Sequence, residues 1–154
     1  ISFMAYILLN IAIKVILKLK KDLLLYYDIK ITYHGKSVVA RALFDTGNSL
    51  WEPISEKMVH IAEYALLKPL LEGDESAKEN ICVIPFHSVG KDNGVMYGIR
   101  MDEMVVIVEG KPEFLFNPII GIYMGNISKH GKYSVILNRD TFDEIKNNVK
   151  ENNN

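Results

Sequence analysis

The sequence predicts a mostly-β domain, a barrel or a sandwich, with a short apolar helix before it and a short helix after it. Three observations carry this. Short segments alternate apolar and polar side chains or run apolar, and Gly, Pro, Asn and Asp clusters separate them. The longest apolar run stands at the N-terminus, outside that punctuation. The length, 154 residues, suits one domain. With 49% hydrophobic and 24% charged residues the chain can bury a core, which excludes wholesale disorder. Eighteen basic residues against nineteen acidic ones leave no basic field, so nucleic-acid binding by charge is excluded as well. A single cysteine, Cys82, excludes a disulfide scaffold and a cysteine-rich zinc site.

Residues 1–17 (ISFMAYILLNIAIKVIL) hold only Ser2, Asn10 and Lys14 outside the apolar set. The run Ile1–Ile13 falls short of the roughly 20 apolar residues that cross a bilayer. Lys14, Lys18, Lys20 and Lys21 follow the run instead of preceding it, the reverse of a signal peptide. That order suits the last part of a transmembrane helix leaving a cell membrane on its cytoplasmic side. An amphipathic helix packed on its own domain or on a partner is the alternative. The absence of an initial methionine suits a piece of a longer protein. Residues 1–22 therefore read as helix end and linker, 23–146 as the β domain, and 147–154, mostly Asn, Lys and Glu, as a disordered tail.

Within the domain, Tyr27–Tyr33 alternates as a half-buried strand, His34-Gly35-Lys36 turns, and Ser37–Phe44 returns. Asp45-Thr46-Gly47-Asn48 then breaks the strand into a tight loop. Between Ile54 and Leu71 the pattern is mixed: Met58–Ile61 suits a strand and Glu63–Leu71 a helix stopping at Pro69. Glu72–Asn80 is a charged loop and Ile81–Phe86 a buried strand. Gly90, Gly94 and Gly98 within His87–Gly98 suggest a mobile hairpin. Met104–Val108, an apolar stretch over Phe114–Ile122, and Lys132–Leu137 complete the strands, and Arg139–Val149 forms the last helix.

Chemistry is easiest to place at Asp45. A carboxylate closing the apolar run Ala42-Leu43-Phe44 is held against the core, Thr46 adds a hydroxyl, and Gly47 lets an amide approach the carboxylate. A bare Asp-Thr-Gly more often only satisfies turn amides. Its context is a glycine-rich hairpin about forty residues on, then Ile119-Ile120-Gly121. That order of parts resembles the retroviral-type aspartic peptidases: catalytic loop, flap, then a segment packed behind the loop. The resemblance implies a single-lobed barrel of that type.

Longer segments narrow it. Ala42–Pro53 (ALFDTGNSLWEP), Ile84–Gly90 (IPFHSVG), Tyr97–Arg100 (YGIR), Ile119–Ile122 (IIGI) and Tyr133–Leu137 (YSVIL) together resemble the sporulation sigma-E factor processing peptidases, over roughly residues 1–145. The chain departs around Ser55–Ile61, where Met58 stands by an apolar strand that the family precedes with proline. The resemblance implies a multi-span membrane domain ahead of a catalytic domain on the mother-cell side of the cell membrane. It implies removal of the N-terminal pro-sequence of a sigma-E-type precursor, triggered by a signalling protein from the forespore, with the membrane engaged through the N-terminal segment.

Aspartic peptidases need two facing carboxylates, and this chain has one Asp-Thr-Gly; Asp140-Thr141-Phe142 lacks the glycine. The resemblance therefore implies a homodimer paired across the Asp45 loop, aided by a membrane anchor that concentrates the partners. Asp45 would hold the water and exchange the proton, Thr46 would bond to the partner's loop, and Gly47 would admit a backbone contact. Asn48 and Ser49 would brace the loop first and bind substrate second. Ser88, Val89, Gly90 and Gly94 belong to the expected flap, whose bland reading is a surface hairpin. Ile119, Ile120 and Gly121 form the expected core behind the loop. The histidines show no zinc spacing, and no cofactor or metal is expected. Cys82 sits in an apolar run, where an inert core thiol is the simpler reading. A non-catalytic interaction module of the same fold at a membrane stays open as the other class of function.

Overall fold

The computed structural model describes residues 2–88 and 91–151. Helix α1 (Ser2–Leu25) leads directly into β1 (Tyr26–Tyr33) and β2 (Lys36–Phe44). β3 (Trp51–Glu52), β4 (Lys57–Glu63) and α2 (Tyr64–Leu71) follow. A 3₁₀ turn (Glu75–Asn80) precedes the hairpin β5 (Ile81–Ser88) and β6 (Lys91–Arg100). Then come β7 (Glu103–Val108), β8 (Lys111–Phe116), β9 (Ile119–Tyr123), β10 (Val135–Leu137) and α3 (Thr141–Glu151).

The strands form one sheet in the order β5-β6-β9-β4-β10-β2-β1-β7-β8, with β3 added to β4. Most neighbours are antiparallel, and β1–β2, β3–β4, β5–β6 and β7–β8 join consecutive strands, which short turns permit. Two pairs are parallel: β10 with β2, and β4 with β9. β10 is thus the bridge between two halves, paired to β2 on one side and antiparallel to β4 on the other. The expected barrel is corrected here. β5 and β8 end the strand order without pairing to each other, so the sheet is open. Closure needs strands long and staggered enough to tilt around an axis, and the bridge between the halves, β10, has three residues.

Alternation builds the core. Ile29, Ile31 and Tyr33 of β1 are buried, while Asp28 and Lys30 face out. They meet Ala42, Met104, Val106, Leu115, Val135 and Leu137, with Leu67 and Leu70 of α2 covering the cluster. A second cluster, Val59, Ile84 and Ile119, lies under the β5–β6 side with Leu50 and Met96 against it. β4 therefore serves both: Val59 belongs to the second cluster, Met58 and Ala62 to the first.

The hairpin turns follow from backbone geometry. His34 and Gly35 have φ of 46° and 77°, and Glu109 and Gly110 have 51° and 77°. With Tyr33 opposite Lys36 and Val108 opposite Lys111, both are two-residue turns with positive φ at both centres, the form that matches strand twist. Two elements differ from expectation for local reasons. α2 runs through Pro69 to Leu71, because burial of Leu67 and Leu70 outweighs the lost amide bond. The apolar stretch 114–122 is two strands, broken where Asn117 takes φ of 51° before Pro118.

α1 is longer than its apolar run, and every described side chain from Met4 to Leu17 except Asn10 is exposed. It therefore does not pack on its own domain along this stretch. Among the described residues no helix is long and apolar enough to cross a membrane. Lys14, Lys18, Lys20, Lys21 and Asp22 interrupt the helix too early. This overturns the expected placement in a cell membrane through the N-terminal segment. Val89, Gly90 and residues 152–154 of the expected tail lie outside the described residues, and α3 reaches Glu151.

Two measurements test this account. His60, in β4, is enclosed, and burial pushes its pKa down from 6.5 to about 3. Below the unfolded value the unfolded chain holds a proton that the folded chain refuses. The histidine therefore costs nothing above about pH 6.5, and stability falls with pH between about 6.5 and 3, by at most about 1.4 kcal/mol per pH unit. Urea unfolding across this window should show that slope, and His60→Asn should remove its share of it. At Gly110 an added Cβ meets nothing within 4 Å, so Gly110→Ala isolates the cost of positive φ. It should destabilise by about 1 kcal/mol in the same assay.

Candidate active site

Asp45 leaves the end of β2 where the strand stops pairing. Its N–H reaches the Leu137 carbonyl at 3.5 Å, its carbonyl accepts the Asn48 N–H at 3.0 Å, and its carboxylate Oδ1 accepts the Gly47 N–H at 2.8 Å. One carboxylate oxygen is thereby aimed by the loop's own backbone. A Cβ on Gly47 would stand 3.1 Å from Oδ1, a tight contact that would make the carboxylate shift by a few tenths of an ångström. Asp45 is half-buried, while Thr46, Gly47 and Ser49 are exposed.

Asn48 turns inward and is buried. Its Nδ2 donates to the Val59 carbonyl at 3.1 Å and its Oδ1 accepts the Leu50 N–H at 3.2 Å. Its own carbonyl accepts the Arg139 N–H at 2.9 Å. Both ends of the side chain are used on backbone, which leaves it as a brace of the loop. Just before the loop, Phe44 packs edge-on against Phe142 of α3 at 4.8 Å, and Tyr27 meets the same ring at 4.9 Å. The start of α3 is so fixed beneath the end of β2.

The loop opens on a groove of about 500 Å³. Asp45, Gly47, Asn48 and Ser49 form one wall with Leu50; Ile61 and Ile136 form the floor; Phe86, His87 and Met96 of the β5–β6 hairpin, with Tyr123, Asn126 and Ile127, form the rest. The Ile127 N–H is held at 2.7 Å by the Glu63 carboxylate, which fixes that side. The lining is mostly apolar, and Asp45 is its one carboxylate among the described residues. Glu52, a more deeply buried carboxylate, is spent elsewhere: it accepts the Ile54 N–H at 3.0 Å, the Ser55 N–H at 2.6 Å and the Ser55 hydroxyl. The Ser55 hydroxyl, foremost, holds its pKa below the usual carboxylate value.

The expected flap residues fall on the hairpin that borders the groove. Ser88 ends β5, and Gly94 sits opposite Phe86, whose ring covers it so closely that a Cβ would meet Cζ at 2.4 Å. Val89 and Gly90 lie outside the described residues. Ile119, Ile120 and Gly121 are buried in β9, which β4 and β10 separate from β2, and do not line the groove. The strand directly beside β2 at the loop is β10.

Sequence reasoning passed over Asn138 and His60. Asn138 is fully buried after β10; its Nδ2 donates to the Leu50 carbonyl at 2.9 Å and the Val59 carbonyl at 3.3 Å. His60 Nδ1 accepts the Asn138 N–H at 3.2 Å, so its proton is on Nε2. A signal existed: Asn138 closes Val135–Leu137 as Asp45 closes Ala42–Phe44, a polar residue at the end of a buried strand. The groove's apolar lining had no comparable signal, since it joins residues from six separate segments.

Residues 1–141 match the family model described as sporulation factor SpoIIGA. The chain is also similar to a Bacillus thuringiensis subsp. kurstaki protein described as "Putative sporulation sigma factor-processing peptidase". The two are 24% identical over 135 residues, covering 73% of this chain and 84% of that one. No solved structure matches. The family match takes in α1, the Asp45 loop, the groove hairpin and β10 up to the first residue of α3, so every part of the site lies within it. By that span the chain belongs to the sporulation factor SpoIIGA family, among the peptidases that process sporulation sigma factors.

Proposed function

We propose that the protein is an aspartic endopeptidase that, as a homodimer, removes the N-terminal pro-sequence of a sigma-E-type precursor. The observation that carries this reading is Asp45 itself: a half-buried carboxylate, aimed by the Gly47 amide, at the edge of a mostly apolar groove of about 500 Å³. Hydrolysis needs a base for the attacking water and an acid for the scissile carbonyl. Two carboxylates about 3 Å apart cannot both ionise, so a pair of Asp45 residues retains one proton and supplies both roles. One protomer's groove offers one carboxylate, and a two-fold axis through the loops supplies the second.

In this arrangement the exposed Thr46 bonds to the partner's loop and Gly47 keeps space beside the carboxylate. Ser49 faces the groove for contact with substrate backbone. The β5–β6 hairpin covers the bound segment through Phe86, His87 and Met96, with Ser88 and Gly94 on the same hairpin. The apolar lining suits an extended segment with large apolar side chains beside the cleaved bond. A signalling protein from the forespore acts as activator.

Co-expression with a sigma-factor precursor tests the chemistry. Asp45→Ala should lower cleavage by at least about 10²-fold while thermal stability stays near that of the unaltered protein. Undiminished cleavage would mean that Asp45 does not cut, and would leave a non-catalytic module of the same fold whose precursor is cut by another protein. A mixing experiment tests the pairing. With equal amounts of unaltered and Asp45→Ala chains, random pairing leaves roughly a quarter of the dimers with two carboxylates. The precursor-cleaving rate per dimer should fall to about that fraction; a fall to half would mean that each chain acts alone.

A further inference from the structure

We infer that Asn138 and His60 are positioning residues that set the Asp45 loop from beneath, so that cleavage depends on two side chains outside the groove. The inference rests on the reading of Asp45 as the cleaving residue and adds what holds it in register.

The bond that Asp45 itself makes to the neighbouring strand is stretched. Its N–H stands 3.5 Å from the Leu137 carbonyl, against about 2.9 Å for an ordinary amide bond. β10 supplies three residues of ladder to β2 and two paired positions to β4. Neither ladder fixes the loop beyond Phe44. Shorter ties come after the turn, and they converge on two asparagine amides. Asn138 Nδ2 grips the carbonyls of Leu50 and Val59. Asn48 Nδ2 grips the same Val59 carbonyl. The Leu50 carbonyl also accepts the Val59 N–H at 2.9 Å. Three chain segments (the loop, β4, and the corner between β10 and α3) are thus each bonded to the other two.

Asn138 is in turn fully committed. Its Oδ1 accepts the Asp140 N–H at 3.0 Å and its carbonyl accepts the Thr141 hydroxyl at 2.6 Å. Its N–H points into the core, where a buried donor without a partner is costly. His60, 1% exposed, supplies the acceptor. The neutral imidazole that burial enforces is the form able to accept there. The relay therefore runs from His60 through Asn138 to Leu50 and Asn48, and so to the loop that aims Asp45.

The test compares the full protein with Asp45→Ala, Asn138→Ala, His60→Leu and His60→Asn in cleaving a sigma-factor precursor, reading kcat, KM and the pH–rate profile. Asn138→Ala and His60→Leu should lower kcat about tenfold to a hundredfold, with KM within about twofold. The limbs of their pH–rate profile should also move, because the spacing of the carboxylate pair sets its shared proton. His60→Asn places Oδ1 near the position of Nδ1 and should recover most of the rate. Folded Asn138→Ala and His60→Leu proteins with unaltered kcat and profile would overturn the inference. So would a loss of rate that only tracks the folded fraction with the profile unmoved. If Asn138→Ala does not fold, Asn138→Ser, too short to bridge both carbonyls, carries the same expectation. Unaltered cleavage by Asp45→Ala overturns the reading of Asp45 itself, and is seen independently of the other variants.

Discussion

The loop that carries Asp45 has to leave a sheet with Asn48 turned into the interior, and the backbone around that side chain must find partners without a strand to supply them. That constraint organises this part of the molecule. An unpaired buried amide or carbonyl costs on the order of 1–3 kcal/mol, and this region holds several. Two asparagine side chains meet the demand because an amide carries donors and an acceptor on one rigid group. Asn48 and Asn138 share the Val59 carbonyl, and no buried side-chain polar atom among the described residues is left without a partner. Apolar residues of similar size would fill the same space and leave the carbonyls bare.

The sheet's order serves the same end. Antiparallel hairpins build each half, but neither half encloses the loop by itself. Inserting β10 between β2 and β4 brings the chain's last strand beside its second, and delivers α3 beneath Phe44. The parallel pairing of β4 with β9 then brings Ile61 and Tyr123 into the lining of one groove. The β5–β6 hairpin stays at an edge, free on one side, and its inner face, with Phe86 and Met96, looks across the groove toward the Asp45 loop.

Much of this was legible in the residues and some was not. The turns at His34-Gly35 and Glu109-Gly110 were readable because a two-residue reversal with positive φ has a narrow chemistry. The strands around them were readable from alternation, as in Ile29-Lys30-Ile31. The Asp45 loop stood out because a polar triplet ends an apolar strand. Ile119-Ile120-Gly121 drew attention for its composition, yet β10 takes the place beside β2, since strand order is decided by long-range pairing that no local pattern records. Barrel closure failed for the same reason: it depends on which edges meet. His60 was invisible as a partner because its one use, an acceptor for a distant backbone amide, arises only when residues 78 positions apart meet.

α1 passes into β1 with no intervening residue, Leu25 ending one and Tyr26 beginning the other. A tether of loose chain would absorb any displacement of the helix; a direct helix-to-strand joint delivers it as a load along β1. Every residue of β1 has a partner on β2, from Tyr26 opposite Leu43 to Tyr33 opposite Lys36. The helix therefore enters the strand pair at the end where Phe44 and the aspartate after it stand, since Tyr26 lies opposite Leu43. Whatever grips α1 would have a mechanical hold on the groove without touching it.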